Sequence, residues 1–422
     1  MAVLDLFPDS ATIDGGELVL GGVRASELAA RFGTPLVVYC AATIRARARA
    51  YREAAPSALV VYGSKAFPSV AIERLLAEEG IGSDVSTLGE LELALRAGVA
   101  PDRMVVHGNN KSDAFLARVG EVGCAYVVLD AADEAERAAA AGIRRVLVRV
   151  TPGIEVATHE AISTGHSGSK FGLTPEQAIE AIRDARARGL EAAGLHVHLG
   201  SQLVDTVAPK MLLDWLAGFV AVCRTELGWA PEVLDVGGGL GIRHTEDETA
   251  PSIAHWVGDL EERIRRDFAV HGLPQPALIM EPGRSLVGDA GVTLYTVGVV
   301  KEAAEGPPWI AIDGGLSDNP RPLQYGARYE ALLATRAAEP TERSYAVGGH
   351  HCESGDVLIR RVALPHPRRG DLLAVPATGA YTLSMSSNYN ATPRPAAVLV
   401  AGGEASLIRR RETLDDLLAL EL

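Results

Sequence analysis

Apolar and polar positions follow one regular pattern between residues 58 and 284. Eight short apolar runs are separated by longer stretches, such as 71–79 and 212–227, in which apolar residues return at helical spacing. The runs occupy residues 58–63, 81–85, 104–108, 126–130, 146–150, 194–199, 233–236 and 278–281. Eight units of a strand followed by a helix predict a parallel sheet, either closed into a (β/α)8 barrel or open and doubly wound.

The pattern changes after residue 284, where runs rich in Val, Ile, Tyr and Thr are broken by Gly and Pro. The clearest of these runs cover 292–300, 344–347 and 372–375. Branched and aromatic residues in short runs between turn residues predict an antiparallel β-domain. A final helix is predicted at 413–419.

The N-terminal segment 11–23 contains Asp14-Gly15-Gly16 between two extended stretches, which predicts a hairpin that joins the sheet of the β-domain. The length of 422 residues also favours more than one hydrophobic core. We therefore expect N-terminal strands over 1–34, a barrel over 35–285 and a C-terminal β-domain over 286–422.

Composition narrows the class of protein. The formal net charge of −14 argues against a general attraction to nucleic acid or to an anionic lipid surface. No apolar run is long enough to cross a bilayer, and Met1-Ala2-Val3-Leu4-Asp5 lacks the regions of a signal peptide. We expect a cytoplasmic protein without nucleic-acid or membrane partners. The cysteines, too sparse for a disulfide scaffold and without CxxC spacing, are Cys40, Cys124, Cys223 and Cys352.

Glycines and polar residues follow four of the apolar runs, at the strand ends where a barrel carries its chemistry. These segments are Tyr62-Gly63-Ser64-Lys65, His196-Val197-His198-Leu199-Gly200-Ser201-Gln202, Gly237-Gly238-Gly239 and Glu281-Pro282-Gly283-Arg284. Because the carboxyl ends of parallel strands meet at one rim, we expect a lysine, a histidine, a glycine loop and a Glu/Arg pair to converge there.

The glycine loop, Gly237 to Gly239, lets several backbone N–H groups approach an anion such as phosphate at a helix start. A Walker loop is excluded because no Lys-Ser/Thr follows at the required spacing. A dinucleotide loop is excluded because Ile242 stands where that pattern needs Gly. A tight turn without a ligand is the remaining alternative.

Side chains at this rim fit a flat aldehyde cofactor, and each also has an ordinary structural explanation. Lys65 at a buried strand end would be a nucleophilic amine, able to hold an aldehyde as a Schiff base, unless its head reaches solvent. Glu281 would face a pyridinium nitrogen or simply pair with Arg284. His198 would stack on the ring or lie in the core, and Ser201 could donate to phosphate.

Eight motifs along nearly the whole chain occur in one order. They are Tyr62-Gly63-Ser64-Lys65-Ala66-Phe67, His107-Gly108-Asn109-Asn110-Lys111-Ser112, Ser169-Lys170-Phe171-Gly172, the His196 to Gln202 segment, Asp235 to Gly239, Glu281 to Arg284, Cys352-Glu353-Ser354-Gly355-Asp356 and Gly379-Ala380-Tyr381. As an ordered set they resemble the motifs of diaminopimelate decarboxylases, a family of the alanine-racemase-like, fold-type III group. The resemblance implies a barrel that binds pyridoxal 5'-phosphate, with an antiparallel β-domain formed by both ends of the chain.

The activity that this resemblance implies is decarboxylation of meso-2,6-diaminopimelate at its D-centre, giving L-lysine and carbon dioxide in the last step of lysine biosynthesis. It implies that Lys65 binds the cofactor covalently, His198 stacks on its ring and Glu281 pairs with the ring nitrogen. The residues implied to hold the phosphate or its surroundings are Ser201, Gly237, Gly238, Gly239, Gly283, Arg284 and Tyr381.

For the substrate, the resemblance implies that Arg284, Arg321 and Tyr325 grip the distal, L-configured end, with Tyr381 also in contact. Cys352 would return a proton to the reacting carbon, and Glu353 would bind the amino group at the D-centre. In this family the last two residues come from a second protomer, which implies a homodimer with shared active sites.

Other functions stay open at this point. His196 and His198, two apart on a strand, face the same side and suggest a metal-dependent barrel hydrolase. His350 and His351 before Cys352 suggest the same, but adjacent strand residues point in opposite directions, so we expect no metal. A non-catalytic barrel that carries the cofactor would lack the β-domain with its cysteine.

The related decarboxylases that act on carboxynorspermidine, ornithine, arginine or a carrier-bound amino acid are closer alternatives. Arg321 favours a substrate whose far end carries a carboxylate rather than an amine.

Overall fold

The computed structural model describes residues 2–152, 170–198 and 200–422. Ser169 and Leu199, which belong to two of the motifs, lie outside these residues. The chain forms two compact units. The barrel unit comprises Arg47–Gly241 and Ala250–Gly283, and the β-rich unit comprises Met1–Ala46, Ile242–Thr249 and Arg284–Leu422. The predicted barrel covered 35–285, but its residues 35–46, 242–249 and 284–285 belong to the β-rich unit.

The elements of both units are numbered here in chain order. The strands are β1 (Thr12–Asp14), β2 (Glu17–Leu20), β3 (Val23–Arg24), β4 (Leu36–Cys40), β5 (Leu59–Gly63), β6 (Gly82–Val85), β7 (Met104–Val106), β8 (Tyr126–Leu129), β9 (Arg145–Arg149), β10 (Glu191–His196), β11 (Val233–Asp235), β12 (Ala277–Met280), β13 (Gly291–Lys301), β14 (Trp309–Ile312), β15 (Leu332–Leu333), β16 (Arg343–Gly348), β17 (Val357–Leu364), β18 (Leu372–Val375), β19 (Ala396–Ala401) and β20 (Glu404–Arg409).

The α-helices are α1 (Ala25–Phe32), α2 (Ala41–Ala54), α3 (Val70–Glu78), α4 (Leu88–Ala97), α5 (Asp113–Val122), α6 (Glu134–Ala140), α7 (Pro175–Ala187), α8 (Val207–Leu227), α9 (Ile253–Val270), α10 (Arg284–Val287), α11 (Arg321–Tyr325) and α12 (Leu414–Leu418). None of the helices in the described part of the chain is both long enough and apolar enough to cross a membrane.

Strands β5 to β12 form a closed barrel in which neighbours are parallel. Each of the eight predicted runs overlaps one of these strands, although β9 and β12 begin one residue before their runs and β10 begins three residues before its run. Because β12 pairs with β5, the sheet is a closed barrel and not an open sheet. Side chains that fill its core include Val61, Val105, Leu147 and Ile279, the branched types expected inside such a barrel. The carboxyl ends of the strands are therefore left to carry polar residues.

The β-rich unit contains a nine-stranded sheet whose main path runs β17-β16-β14-β13-β4-β19-β20. Strand β18 pairs with β13 and β15, which completes the sheet. Most pairs are antiparallel, as predicted, but β14 pairs with β16 and β19 with β4 in parallel. Strand β4, from the N-terminal part of the chain, lies between β13 and β19, so both ends of the chain build this unit.

The predicted N-terminal hairpin forms, but the expectation that it joins this sheet is wrong. Strands β1, β2 and β3 make a separate three-stranded antiparallel sheet. Its buried Leu18 and Leu20 share a hydrophobic core with Val38, Val292 and Val398 of the large sheet. The hairpin is thus held by side-chain packing rather than by backbone pairing with β4.

Candidate active site

Four buried side chains gather where strands of the barrel end. His107 follows β7, His196 ends β10, Asp235 ends β11 and Glu281 follows β12. The register pairs His196 with Asp235, which brings their strand ends level. One nitrogen or oxygen atom from each of the four lies within 4.8 Å of the others. We call these residues the mouth cluster.

Glu281 is at the centre of the mouth cluster. Its carboxylate contacts the His107 imidazole at Nε2 and lies 3.7 Å from Nε2 of His196. Both ring nitrogens of His196 and Oδ2 of Asp235 are buried and make no hydrogen bond with any residue that the structure describes. Buried polar atoms without partners are rare in folded proteins, so this cluster is suited to receive a polar ligand.

The pKa values of this cluster separate the charged groups from the neutral ones. Burial lowers the pKa of His196 to about 4 and, with Lys65 and Arg149 contributing, lowers that of His198 to about 3. Burial acts to raise the pKa of Glu281, but His107 and His196 hold it well below its usual value. Burial and the Glu281 charge raise the pKa of Asp235 well above its usual value. The shifts therefore favour the ionised form of Glu281 and the neutral forms of His196, His198 and Asp235.

The depressed pKa of His196 predicts that acid destabilises the fold. Below pH 6.5 the unfolded chain takes up a proton at this histidine while the folded state does not, so stability falls as pH drops from about 6.5 to about 4. We expect His196→Asn to flatten the pH dependence of the thermal midpoint across this window. The exposed His255→Asn is the control, and an equal slope in both variants would contradict the assignment.

Lys65 lies in the single 3-10 turn Ser64–Ala66 that follows β5. Its Nζ is 3.4 Å from Oδ2 of Asp84, because the register of β5 and β6 pairs Gly63 with Asp84. The side chain is 54% exposed, which corrects the expectation that it is buried at the strand end. Its amine is thus accessible and held beside a carboxylate. Asp84 was missed by the sequence analysis. It could have been found, because it lies at the end of the run 81–85 and polar residues at the carboxyl ends of barrel strands carry the chemistry.

The glycine loop has no room for side chains. Gly237 and Gly239 have φ of +67° and +115°, which favours glycine. A Cβ on Gly238 would lie 2.4 Å from the backbone oxygen of Glu281, and one on Gly237 would lie 2.9 Å from Nδ1 of His198. Among the described residues, none accepts a hydrogen bond from the N–H of Gly238 or Gly239. The loop therefore offers backbone donors at the point where the sequence predicted phosphate binding.

Two further predicted cofactor residues lie at the same strand ends. Ser201 follows β10 after Gly200 and is exposed. Gly283 follows β12 and packs closely on the end of β5, since a Cβ on Gly63 would lie 3.5 Å from its Cα. The barrel unit thus contains Lys65, His198, Ser201, the glycine loop, Glu281 and Gly283 at carboxyl ends of its strands.

The β-rich unit holds a second set of predicted residues around two buried arginines. Arg284 begins α10 and Arg321 begins α11, and their exposed fractions are 9% and 7%. Within the described ranges no carboxylate forms an ion pair with either guanidinium, and Nη1 of Arg284 has no hydrogen-bond partner. Burial and the Arg321 charge lower the pKa of Arg284 to about 10, so Arg284 remains a cation at neutral pH. Guanidinium groups are charged in proteins as a rule. Buried cations without an acid are costly, so this pair is suited to an anionic ligand.

Aromatic residues surround these guanidinium groups. The Arg284 guanidinium lies 4.8 Å from the ring centre of Tyr381, whose φ of +59° is unusual for a tyrosine and is often found at functional sites. Tyr325 is 65% exposed, with its ring centre 6.0 Å from Arg321. The buried Tyr329, which the sequence analysis missed, accepts a hydrogen bond of 3.1 Å from Nε of Arg321. Only its spacing from Arg321 could have indicated this contact.

Cys352 and Glu353 lie in the loop between β16 and β17, and both are exposed. The backbone N–H of Cys352 donates to Oδ1 of Asn390 at 3.2 Å. Asp356 accepts hydrogen bonds from the backbone N–H groups of His351, at 3.0 Å, and Leu316, at 2.7 Å. The loop is therefore anchored at its base while its thiol and carboxylate face outward.

Comparison with known proteins agrees with this geometry. Residues 41–288 match the family described as pyridoxal-dependent decarboxylase, pyridoxal binding domain. The chain is 43% identical over 423 residues to the diaminopimelate decarboxylase of Actinosynnema pretiosum, covering 99% of this chain and 95% of that protein. It is 42% identical over 426 residues to that of Bacillus subtilis (strain 168), covering 96% and 95%. The chain belongs to the diaminopimelate decarboxylase family.

A solved diaminopimelate decarboxylase from M. jannaschii, in co-complex with L-lysine, has the same fold. The TM-score is 0.92 at 33% identity, and the match covers 98% of both chains. The barrel and the β-rich unit are thus the architecture of diaminopimelate decarboxylases.

The cofactor of a diaminopimelate decarboxylase is pyridoxal phosphate, and the barrel residues fit it. The N–H groups of Gly238 and Gly239, which make no bond to any described residue, suit a phosphate. Glu281 offers an ionised carboxylate to a ring nitrogen, and the Lys65 amine is accessible to an aldehyde. The histidine pair considered for a metal hydrolase, His196 with His198, is not the pair in the mouth cluster, which contains His196 with His107.

Proposed function

We propose that this protein decarboxylates meso-2,6-diaminopimelate at its D-centre, giving L-lysine and carbon dioxide as the last step of lysine biosynthesis. The observation that carries the choice of substrate is the pair of buried guanidinium groups, Arg284 and Arg321, without an acidic partner among the described residues. Diaminopimelate keeps a carboxylate at its distal, L-configured end, whereas ornithine and arginine end in a cation.

Arg321 is the main recognition group for that distal carboxylate. A guanidinium can bind a carboxylate through two parallel hydrogen bonds, and Tyr329 leaves its terminal nitrogens available by bonding only Nε. Arg284 and Tyr325 assist it, and Tyr381 contacts the substrate from the Arg284 side. A substrate whose distal end carries a cation without a carboxylate would meet only like charge there and lose affinity.

The remaining predicted residues serve the cofactor. When bound, pyridoxal phosphate supplies an aldehyde that takes amino groups and a ring that accepts the electrons released by the breaking bond. Lys65 holds the aldehyde, and the ionised Glu281 keeps the ring nitrogen protonated. His198, which is neutral, packs on the ring without adding charge. The phosphate and its surroundings are held by Ser201, Gly237, Gly238, Gly239, Gly283, Arg284 and Tyr381.

Cys352 completes the reaction by delivering a proton. Loss of carbon dioxide leaves an electron pair on the α-carbon of the D-centre, and a thiol can donate a proton there near neutral pH. Glu353 binds the amino group of that centre. Both side chains are exposed, which supports their use by a second protomer and hence a homodimer with shared active sites. The proposal also includes a cytoplasmic location.

The substrate assignment is tested by Arg321→Ala. Losing one partner of a partly desolvated charge pair costs roughly 2–5 kcal/mol, so turnover of meso-diaminopimelate should fall by about 30-fold or more. The absorbance of the bound cofactor should not change. Arg343→Ala is the control, because that arginine forms an exposed ion pair with Glu302.

Carbon dioxide release should be measured from meso-diaminopimelate beside lysine, ornithine and arginine at equal concentration. The proposed function requires diaminopimelate to be strongly preferred. Preference of the parent for ornithine or arginine, or full activity of Arg321→Ala on diaminopimelate, would show that another decarboxylase of the same fold is the better assignment.

A further inference from the structure

Lys111 is a fully buried lysine for which the proposed function has no role. It ends the segment His107-Gly108-Asn109-Asn110-Lys111, and none of its side chain is exposed. Its Nζ donates hydrogen bonds to both carboxylate oxygens of Glu134, each at 3.0 Å, and to the backbone oxygen of Gly108 at 2.7 Å. Each of the three ammonium protons therefore makes a hydrogen bond to a residue of the barrel unit.

Glu134 extends this contact to the next strand. Its Oε2 also accepts the backbone N–H of Asp130 at 2.7 Å, at the end of β8. The Asp130 carboxylate in turn accepts the N–H of Gly172 at 2.6 Å and lies 3.4 Å from Nη1 of Arg149, which ends β9. The ion pair therefore connects the carboxyl ends of three consecutive strands.

Gly108 connects Lys111 to the mouth cluster, because it follows His107 and its carbonyl accepts a hydrogen bond from Lys111. Its φ of +119° turns the chain sharply after His107, and Lys111 holds the carbonyl that this turn exposes. On the other side, the backbone N–H of His107 donates to Val85 at 2.8 Å. The backbone of His107 is thus held by Val85 at its N–H and by Lys111 at the next residue, Gly108. Its imidazole contacts Glu281.

A buried ion pair is seldom retained for stability alone, because replacing both partners by apolar residues is often neutral or stabilising. This favours a role in geometry. We propose that the Lys111–Glu134 pair is a positioning element, which holds His107 against Glu281 and so fixes the orientation of the Glu281 carboxylate. The inference rests on the proposed role of Glu281 at the ring nitrogen of the cofactor.

The test measures binding of pyridoxal phosphate to cofactor-depleted protein by absorbance titration. We expect Lys111→Met and Glu134→Gln each to weaken binding by about 10-fold or more, since a buried charge-assisted contact is lost. Lys210→Met is the matched control, because Lys210 pairs with Asp259 on the outer helices α8 and α9. It should bind like the parent.

Two double variants separate positioning from general stability. Lys111→Met with Glu134→Leu replaces the whole pair, so the thermal midpoint should recover while cofactor binding stays weak. His107→Asn should weaken binding by itself, and adding Lys111→Met should weaken it little further, because both act through the same contact. Fully additive losses, or recovery of binding with stability, would overturn the inference.

The outcome also separates this inference from the proposed function. A parent protein that binds no pyridoxal phosphate contradicts the proposed function itself. A parent that binds it, with Lys111→Met and Glu134→Gln binding equally well, contradicts only the role of the ion pair.

Discussion

Lys65→Ala is expected to remove the yellow colour that covalently bound pyridoxal phosphate gives the parent protein. The alanine has no amine to bind the aldehyde, so turnover should fall by about 1,000-fold or more. The accessible Nζ beside Asp84 is the structural basis of this expectation. Absorbance spectra and carbon dioxide release from meso-diaminopimelate, measured on the same samples, check it.

The control for this variant is Lys301→Ala, which removes an exposed lysine at the end of β13. It should keep both the spectrum and the activity. A parent that stays colourless after incubation with pyridoxal phosphate, or a Lys65→Ala protein that remains yellow, would be incompatible with Lys65 as the cofactor-binding lysine.

Cys352→Ala is expected to keep the bound cofactor and to lose about 100-fold or more in turnover, the usual contribution of a positioned proton donor. The thiol is exposed and its loop is anchored by Asn390 and Asp356, so removing it should not disturb the fold. Steady-state carbon dioxide release over many turnovers and an unchanged cofactor spectrum check both parts. Cys124→Ala, at a half-buried cysteine far along the sequence from the motif, is the control.

Mixing inactive Lys65→Ala protomers with inactive Cys352→Ala protomers tests whether the cysteine serves a second subunit. If sites are shared, each hybrid dimer contains one site with both residues and one with neither, so partial activity returns. Exchange of protomers can be followed with a mass-tagged chain. Exchange without any recovery of activity would place both residues in one protomer's site.

The barrel could be predicted from sequence because each of its strands is a short apolar run bounded by helical spacing. The same rule located the chemistry, since Lys65, the glycine loop and Glu281 all follow such runs. The sequence predicted that the β-rich unit is a mainly antiparallel sheet, but it could not predict the order of the strands. The paired strands come from segments that are distant along the chain. No local pattern indicates that β4 lies between β13 and β19.

Other features could not be predicted because they depend on register and on side-chain burial. The hairpin that forms β1 and β2 has the expected turn. It is a separate sheet because its apolar face packs against the large sheet through side chains. Lys65 lies one turn beyond β5, which leaves its side chain half exposed. The contact of His107 with Glu281 joins strands β7 and β12, whose separation along the chain conceals it.

The central place of β4 has a consequence for how this protein is made in the cell. Its residues, Leu36–Cys40, leave the ribosome early, but the parallel partner β19 starts only at Ala396. Both edges of this apolar segment therefore lack their partner strands until the whole barrel has been synthesised. Unpaired strand edges promote aggregation. Truncated chains that end before Ala396 would keep one edge of β4 open. Such fragments should depend on chaperones far more than the complete polypeptide does.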